Sequence, residues 1–316
     1  MKDINIGFIG LGNVGSKIAF NVLKSKYKLH IHDINKKKSS NLIKSGAVWH
    51  KSIGNLLNNC SVFFTCLPSP KSVRNVIESN NGVLKNIKKN HLWIETSTTD
   101  EKEMKRLTKL IESKGGLVLE APITGGQHKA ESGNISILVA GKKNNFKRAF
   151  PILSSIGSKI LYCGNIGNAS TLKVVTNYLA SINLLSLGEA LIICKKYGID
   201  LKKAYNGIKI SSGNSFVHET ESQLILNGSY NVGFTMDLVC KDIGLFQKLA
   251  DEMHIPTKLS PLMVNIFNDG KKKYGNRSYS TSIVKLLEEK CKINLRSKGF
   301  PSKLIDKNKK QKAIEI

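Results

Sequence analysis

The segment GFIGLGNVGSKIAF, residues 7–20, carries Gly10, Gly12 and Gly15 in the spacing G-x-G-x-x-G. An apolar run before it predicts a short buried strand, and residues 14–24 after it have the periodicity of a helix. Glycine-rich turns are common, so the spacing alone is weak evidence, and the strand and helix around it make it stronger. In such a strand–turn–helix unit the glycines permit a tight turn, close approach of a pyrophosphate, and close packing of helix on strand.

Asp33 supplies the second part of a dinucleotide-binding unit. It directly follows a second predicted strand, residues 27–32, and lies about 20 residues after the glycines, where such units place an acid on the ribose hydroxyls. A carboxylate there repels a 2′-phosphate, which favours NAD over NADP, although the three lysines at 36–38 weaken this preference and leave NADP possible. The predicted cofactor-binding residues from this unit are Gly10, Leu11, Gly12, Asn13, Val14, Gly15 and Asp33.

Strands alternate with helices as far as Gly164, and helices alone follow. The further predicted strands are residues 61–68, 91–98, 116–122, 135–141 and 159–164. This alternation predicts an α/β fold, a Rossmann-type parallel sheet domain at residues 1–164. A long helix, about residues 170–197, joins it to an all-α domain at 165–292, and residues 293–316 are expected to form a basic, flexible tail.

Charge and composition narrow the functional classes. The 316 residues include 49 Lys and Arg against 23 Asp and Glu, a net charge of +26. Because the lysines are dispersed and not interleaved with aromatic residues, we interpret them as a solvated surface and not as a nucleic-acid site. The six cysteines form no C-x-x-C pair, so reduced thiols are expected, and no ligand spacing predicts a metal.

No membrane attachment is expected from the apolar segments. The most apolar long run, residues 178–194, contains Asn183 and Glu189 and predicts a helix buried in protein. The N-terminal residues lack the layout of a signal peptide. We therefore expect a cytoplasmic protein.

Two further motifs carry candidate chemistry. Thr124, Gly125 and Gly126 follow a predicted strand, and their hydroxyl and backbone N–H groups suit a carboxylate or alkoxide, although a simple turn has the same composition. Lys173 and Asn177 lie four residues apart, on one face of the long helix. A lysine in an apolar setting can exchange a proton with a substrate oxygen near neutral pH; the alternative is an ordinary surface lysine.

Taken together, these blocks resemble the β-hydroxyacid dehydrogenase family, over about residues 4–289. Four motifs carry the resemblance in order: GFIGLGNVG, APITGG, the G-x-x-G…K-x-x-x-N helix start, and the pair Lys241–Asp242. Each motif is modest alone, and their order and spacing are specific. Thr124 stands where family members more often have Ser, and Ala169 where a second glycine is usual.

The resemblance implies roles for single residues. Lys173 would be the general acid/base and Asn177 would hold the substrate, whose hydroxyl and carboxylate side would lie on Thr124, Gly125 and Gly126. The segment SSGNSFVHE, with Ser212, would lie near the far end of the substrate, unless it is only a helix-capping loop. Additional cofactor contacts would come from Leu67, Pro68, Thr98 and Lys241.

The resemblance implies an oxidoreductase that moves a hydride between NAD, or NADP, and a small 3-hydroxy acid or its semialdehyde. Candidate substrates are 3-hydroxyisobutyrate and glycerate or tartronate semialdehyde. Family members form homodimers or homotetramers through their helical domains. The alternatives are a non-catalytic dinucleotide-binding module with a basic nucleic-acid-binding tail, and an imine reductase, in which the position of Lys173 is often changed.

Overall fold

The computed structural model describes residues 4–316, so residues 1–3 of the predicted first domain lie outside the described residues. The chain divides into two compact units. The first holds the residues up to Lys173 together with Asp306–Ile316, and the second holds Val174–Ile305. The division therefore falls inside the long helix, nine residues after the predicted boundary at 164.

The first unit is built on one mixed sheet. Its strands are β1 (Asn5–Ile9), β2 (Lys28–His32), β3 (Val48–Trp49), β4 (Val62–Thr65), β5 (Leu92–Glu95), β6 (Leu117–Glu120), β7 (Ile123–Thr124), β8 (Ile135–Gly141), β9 (Gly157–Tyr162) and β10 (Ile314–Glu315). They are ordered β10-β9-β8-β6-β5-β4-β1-β2-β3, with β7 paired to β8. The Rossmann-type fold is confirmed, although β8 runs antiparallel to β6 and β7 and so makes the sheet mostly parallel.

Helices cover both faces of this sheet. They are α1 (Gly15–Lys24), α2 (Ser40–Lys44), α3 (Ile53–Leu57), α4 (Pro70–Glu78), α5 (Val83–Asn86), α6 (Glu101–Ser113), α7 (Gly126–Ser132) and α8 (Lys143–Ile156). One apolar core packs α1 and α8 against one side, and a second core packs α3, α4 and α6 against the other. Because both faces are covered, the central strands are buried throughout, which explains why they appear in the sequence as continuous apolar runs.

The second unit is helical. The helix α9 (Asn168–Lys196) enters it from the first unit, and α10 (Leu201–Lys209), α11 (Phe216–Asn227), α12 (Met236–Glu252), α13 (Leu259–Tyr274) and α14 (Lys285–Cys291) follow. Their apolar faces form a separate core around residues such as Leu191, Met263 and Phe267. The predicted all-α domain and the long helix are thus confirmed.

The C-terminal residues differ from the prediction of a flexible tail. Residues from Asp306 onward belong to the first unit, and β10 adds a parallel strand to β9, with Ile314 opposite Lys159. The docking of this segment on the first unit depends on single polar side chains and a two-residue strand. Neither produces a pattern in the composition or net charge of the segment, so the docking could not be predicted from them. The two other strands that were not predicted, β3 and β7, also have two residues each.

The long helix α9 is long and apolar enough to cross a membrane. Its most apolar 18-residue stretch has a mean hydropathy of 1.4, and 33% of that stretch is buried. A single helix of this kind is weak evidence, since core helices of globular proteins have the same composition. Within residues 4–316, all six cysteines are free thiols, and no group of three or more His, Cys, Asp or Glu side chains is arranged to hold a metal ion.

Candidate functional site

The glycine loop links the end of β1 to α1 in a conformation that needs its glycines. Gly10 has φ +97°, and a Cβ there would lie 2.4 Å from the carbonyl oxygen of Cys66. A Cβ on Gly15 would lie 2.2 Å from the carbonyl oxygen of Gly10. A side chain at either position would therefore displace backbone atoms. The environment of Gly15 fits the helix packing predicted for it, and the positive φ of Gly10 fits the predicted tight turn.

Gly12 has a different environment. A Cβ placed on it would meet no atom within 4 Å, so its backbone borders open space in front of the loop. Among the described residues no side chain caps the start of α1, and its first turn holds no acid. The N–H groups and partial positive charge of this helix start suit a pyrophosphate. These residues therefore fit the phosphates of a dinucleotide.

Asp33 is buried at the end of β2, with 8% of its surface exposed. Its Oδ2 accepts a hydrogen bond from the backbone N–H of Leu11 at 2.7 Å, and its Oδ1 accepts one from the N–H of Asn35 at 2.8 Å. The acid is thus tied directly to the glycine loop. Each carboxylate oxygen has a second lone pair, so acceptor capacity remains for ribose hydroxyls.

The loops after β4 and β5 meet beside the glycine loop. Leu67 lies against it, since a Cβ on Gly10 would be 2.9 Å from the Leu67 side chain, and the Leu67 N–H donates to the Ser97 hydroxyl at 2.8 Å. Pro68 is exposed, and Thr98 is half-buried in the loop that follows β5 and contains Ser97. Parallel strands bring these loops to their common carboxyl edge, where ligands of such sheets bind.

Glu95, the last residue of β5, bonds residues at the carboxyl ends of β4 and β5, a role that was not predicted from the sequence. Its side chain is fully buried and accepts hydrogen bonds from the Thr65 hydroxyl and the Ser97 N–H. Burial raises the pKa of Glu95 to about 7, and the hydrogen bonds from Ser97 and Thr65 limit the rise. Its partner in register on β6 is Glu120, also fully buried.

The segment 124–126 joins β7 to α7. Thr124 and Gly125 are half-buried, and Gly126 is exposed. Both glycines have positive φ, +121° for Gly125 and +82° for Gly126, so the turn depends on residues without a Cβ. The hydroxyl and backbone amides of the predicted substrate loop therefore lie in one sharp turn at the start of a helix.

Lys173 lies on the first turns of α9 and is 7% exposed, so it is not an ordinary surface lysine. The start of this helix is held by Glu120, whose Oε1 accepts from the N–H groups of Gly167 at 2.7 Å and Ala169 at 2.9 Å. Its Oε2 accepts from the Ser170 hydroxyl. Burial raises the pKa of Glu120 in spite of these bonds. Glu120 thus caps the helix that carries Lys173.

In the second unit, Asp242 contacts two of the predicted site residues, Asn177 and Lys241. Its Oδ2 accepts from the Asn177 amide at 2.5 Å, and its Oδ1 lies 2.6 Å from the Lys241 ammonium. Asp242 is 2% exposed, so this pairing orients both side chains. The sequence analysis named the Lys241–Asp242 pair as a motif without giving Asp242 this role. Ser212, by contrast, lies exposed in the turn after α10.

This fold and its glycine loop define a dinucleotide-binding protein, and comparison with known proteins narrows the class. Residues 5–164 match the family described as the NAD binding domain of 6-phosphogluconate dehydrogenase. Residues 167–287 match the NAD-binding domain of NADP-dependent 3-hydroxyisobutyrate dehydrogenase. Among curated relatives, the mitochondrial 3-hydroxyisobutyrate dehydrogenase of Rattus norvegicus is 31% identical, over 90% of this chain and 87% of its own.

Other relatives extend the range of known activities. The 2-(hydroxymethyl)glutarate dehydrogenase of Eubacterium barkeri is 29% identical, over 93% of this chain and 98% of its own. Two solved structures share the fold. The 3-hydroxyisobutyrate dehydrogenase of Mycobacterium tuberculosis with L-serine has a TM-score of 0.81 at 23% identity, covering 90% of this chain and 99% of its own. Psf3 in complex with NADP+ and 2-OPP has a TM-score of 0.84 at 25% identity, covering 89% of this chain and 99% of its own.

This chain belongs to the β-hydroxyacid dehydrogenase family. It is accordingly an NAD(P)-dependent hydroxyacid dehydrogenase, as the resemblance in its sequence implies.

Proposed function

We propose that the protein oxidises a small 3-hydroxy acid, or reduces the corresponding semialdehyde, with NAD as the preferred cofactor. The observation that carries this proposal is Lys173, a buried lysine on a helix whose start is capped by the buried carboxylate of Glu120. A desolvated, well-positioned amine of this kind is the chemistry that a dehydrogenase needs at the substrate hydroxyl.

The cofactor would be held by the glycine loop, Asp33, and the strand-end residues Leu67, Pro68 and Thr98. Asp33 supports the NAD preference, since its carboxylate is buried directly after β2, where dinucleotide-binding units carry the acid for the ribose hydroxyls. Lys241 is proposed as a further cofactor ligand. When bound, the nicotinamide supplies the acceptor or donor of a hydride.

Lys173 performs the proton transfer in this proposal. In the direction of oxidation, neutral Lys173 takes the hydroxyl proton as the C–H bond of the same carbon gives up its hydride. In reduction, the protonated amine returns that proton to the carbonyl oxygen. Asn177, oriented by Asp242, donates to the substrate, and the turn at 124–126 binds its carboxylate.

Among substrates, we favour 3-hydroxyisobutyrate and glycerate or tartronate semialdehyde. The two named relatives act on 3-hydroxyisobutyrate and 2-(hydroxymethyl)glutarate, as their names state. The segment around Ser212 carries hydroxyls and an amide but no arginine, which favours a short polar acid over a phosphorylated one. Its His218 is 1% exposed and bonds the Tyr205 carbonyl, so it belongs to the helical core.

The test is nicotinamide absorbance during turnover. Purified protein receives NAD or NADP with 3-hydroxyisobutyrate, glycerate, threonate or 3-hydroxypropionate in turn. We expect reduction with one of these acids, faster with NAD. The variant Lys173→Ala should lose about 10²–10⁴-fold in kcat, the usual contribution of a general acid/base.

A matched control is Lys195→Ala, which removes an exposed lysine at the other end of the same helix. Its turnover should equal that of the parent. Near-normal turnover of Lys173→Ala would contradict the mechanism. Binding of NAD without turnover of any acid would instead retain the cofactor site and reject the proposed substrates.

We also propose a cytoplasmic homodimer or homotetramer. Apolar residues of α9 such as Leu179, 50% exposed, and Ile193, 68% exposed, face solvent in the single chain. Contact between copies would cover such residues. Light scattering during size-exclusion chromatography measures the mass directly, and a monomer at micromolar concentration would contradict this part of the proposal.

A further inference from the structure

The helix α7, which begins at Gly126 of the proposed substrate loop, has only seven residues. A helix of two turns is not stable by itself, so its position depends on what it packs against. On one side it is held by α1, where the Asn21 amide donates to the Ala130 carbonyl at 2.6 Å and Lys17 pairs with Glu131 at 2.6 Å. Ala130 also packs into the apolar core of the first unit, and further polar contacts come from the C-terminal segment.

Asp306 is the centre of those contacts. Its side chain is only 2% exposed. Oδ2 accepts from the Ser132 hydroxyl at 2.6 Å and the Asn134 amide at 3.0 Å, while Oδ1 lies 3.4 Å from the Lys129 ammonium. The bonds from Ser132 and Asn134 and the nearby Lys129 hold the pKa of this carboxyl well below its usual range, against the effect of burial.

Lys129 carries the contact to the substrate loop. A Cβ placed on Gly125 would lie 3.4 Å from Cβ and Cγ of Lys129, so the stem of this lysine packs on the turn. Two contacts, Asp306 with Lys129 and Lys129 with Gly125, therefore connect the C-terminal segment to the residues proposed to bind substrate. Asp306 does not itself reach the turn.

Lys310 makes a second anchor at the end of α7. Its ammonium donates to the carbonyl oxygens of Gly133 at 2.5 Å and Gly157 at 2.8 Å. Gly133 has φ +76° and ends α7 in the left-handed conformation. Partial burial of the ammonium against these carbonyls lowers the pKa of Lys310 to about 8, although the residue as a whole is exposed. The backbone N–H of Gln311 then donates to Asn134 Oδ1 at 2.8 Å.

This segment lies beyond the residues that the family models match. The two family domains match residues 5–164 and 167–287. The anchors at Asp306 and Lys310 are therefore not part of either matched domain.

We propose that residues 306–311 are a positioning element for substrate binding. Asp306 and Lys310 hold the C-terminal end of α7, and Asp306 also holds Lys129, which packs on the turn at 124–126. Together they set the conformation of this turn, which receives the carboxylate of the hydroxy acid. This inference rests on the proposed function for the identity of the ligand. The docking itself is independent of it.

The experiment compares Asp306→Ala, Asp306→Asn and Lys310→Met in the full-length protein. The control is Glu315→Gln, which removes an exposed pair with Lys143 at 2.5 Å on the same segment but away from α7. Two quantities are measured: amide hydrogen exchange at residues 124–134, and KM and kcat for the hydroxy acid and for NAD.

For Asp306→Ala we expect exchange in α7 to become about tenfold faster, because the helix end loses its anchor. KM for the acid should rise about tenfold, with kcat and KM for NAD within about threefold, the signature of lost ground-state positioning. Asp306→Asn keeps one acceptor oxygen and should lie between Ala and the parent. Lys310→Met should follow Asp306→Ala, and Glu315→Gln should match the parent.

Unchanged exchange in α7 for both Asp306 variants would overturn the proposal, as would a rise in KM for NAD equal to that for the acid. Should Asp306→Ala fail to fold, Asp306→Asn and Lys310→Met carry the same comparison. Absence of turnover in the parent protein would reject the proposed function, and the exchange measurement would still decide whether the segment positions α7.

Discussion

Asp33 uses one carboxylate for two purposes at the residue scale. Both of its oxygens already accept backbone N–H groups, from Leu11 and Asn35, so the acid is part of the glycine loop as well as the proposed ribose ligand. A neutral amide keeps only one acceptor oxygen. Replacing Asp33 by Asn therefore removes the negative charge and also one of the two hydrogen bonds that hold the loop.

We predict that Asp33→Asn shifts cofactor preference toward NADP by about tenfold, because the repulsion of a 2′-phosphate is removed. Loss of one loop hydrogen bond should also lower the free energy of unfolding by about 1 kcal/mol. Steady-state kinetics with NAD and NADP measure the preference. Asp269→Asn, at an exposed surface pair in the second unit, is the control. An unchanged NAD/NADP ratio would show that Asp33 does not select the cofactor.

At the scale of single elements, the start of helix α9 is held in place by a residue of the strand β6. Glu120, the last residue of β6, accepts three hydrogen bonds from the start of this helix. The same strand leads directly into the substrate loop. One buried carboxylate therefore places the start of the Lys173 helix at a fixed position relative to the strand that precedes the turn at 124–126.

We predict that Glu120→Ala lowers kcat by up to about 10²-fold, since small displacements of a catalytic group have effects of this size. It should also destabilise the first unit by about 2 kcal/mol through loss of the cap. Glu120→Gln keeps the oxygen that accepts from Gly167 and Ala169 and offers an amide to Ser170, so it should recover most of the activity. Hydrogen exchange at 167–173 reports the helix start. Equal kcat for Ala and the parent would exclude the positioning role.

Element prediction succeeded where an apolar run was long. The strand β8 has the predicted bounds, and α9 begins two residues and ends one residue before the predicted positions. The missed strands β3, β7 and β10 have two residues each. Two residues carry no period, so such strands exist only because a neighbouring strand offers backbone partners.

At the scale of the whole molecule, buried carboxyl groups make stability depend on pH. Because burial raises the pKa of Glu95 to about 7, the folded state retains a proton that the unfolded state loses near pH 4.5. The stabilisation is fully present below pH 4.5 and is lost as pH rises toward 7. His30 acts in the opposite direction, because burial lowers its pKa to about 4 and stability is lost as pH falls below 6.5.

The difference between a variant and the parent isolates the effect of Glu95. We predict that the unfolding free energy of Glu95→Gln, relative to the parent, rises by about 3 kcal/mol between pH 5 and pH 8. Denaturant titrations at several pH values measure it. Glu131→Gln, at a side chain 56% exposed, should show no such rise. A flat difference for Glu95→Gln would mean that its carboxyl ionises as easily in the folded protein as in the unfolded chain.

The sequence by itself determined the fold class, the glycine loop with Asp33, and the family, because these depend on local spacing and on long apolar runs. It also named Lys173, although not that the side chain is buried. Only the tertiary structure decided the roles of Glu95, Glu120 and Asp242, and the docking of Asp306 and Lys310. Each of these acts through hydrogen bonds to residues distant in the chain, and no local pattern in a single sequence records which partners a buried polar side chain will meet.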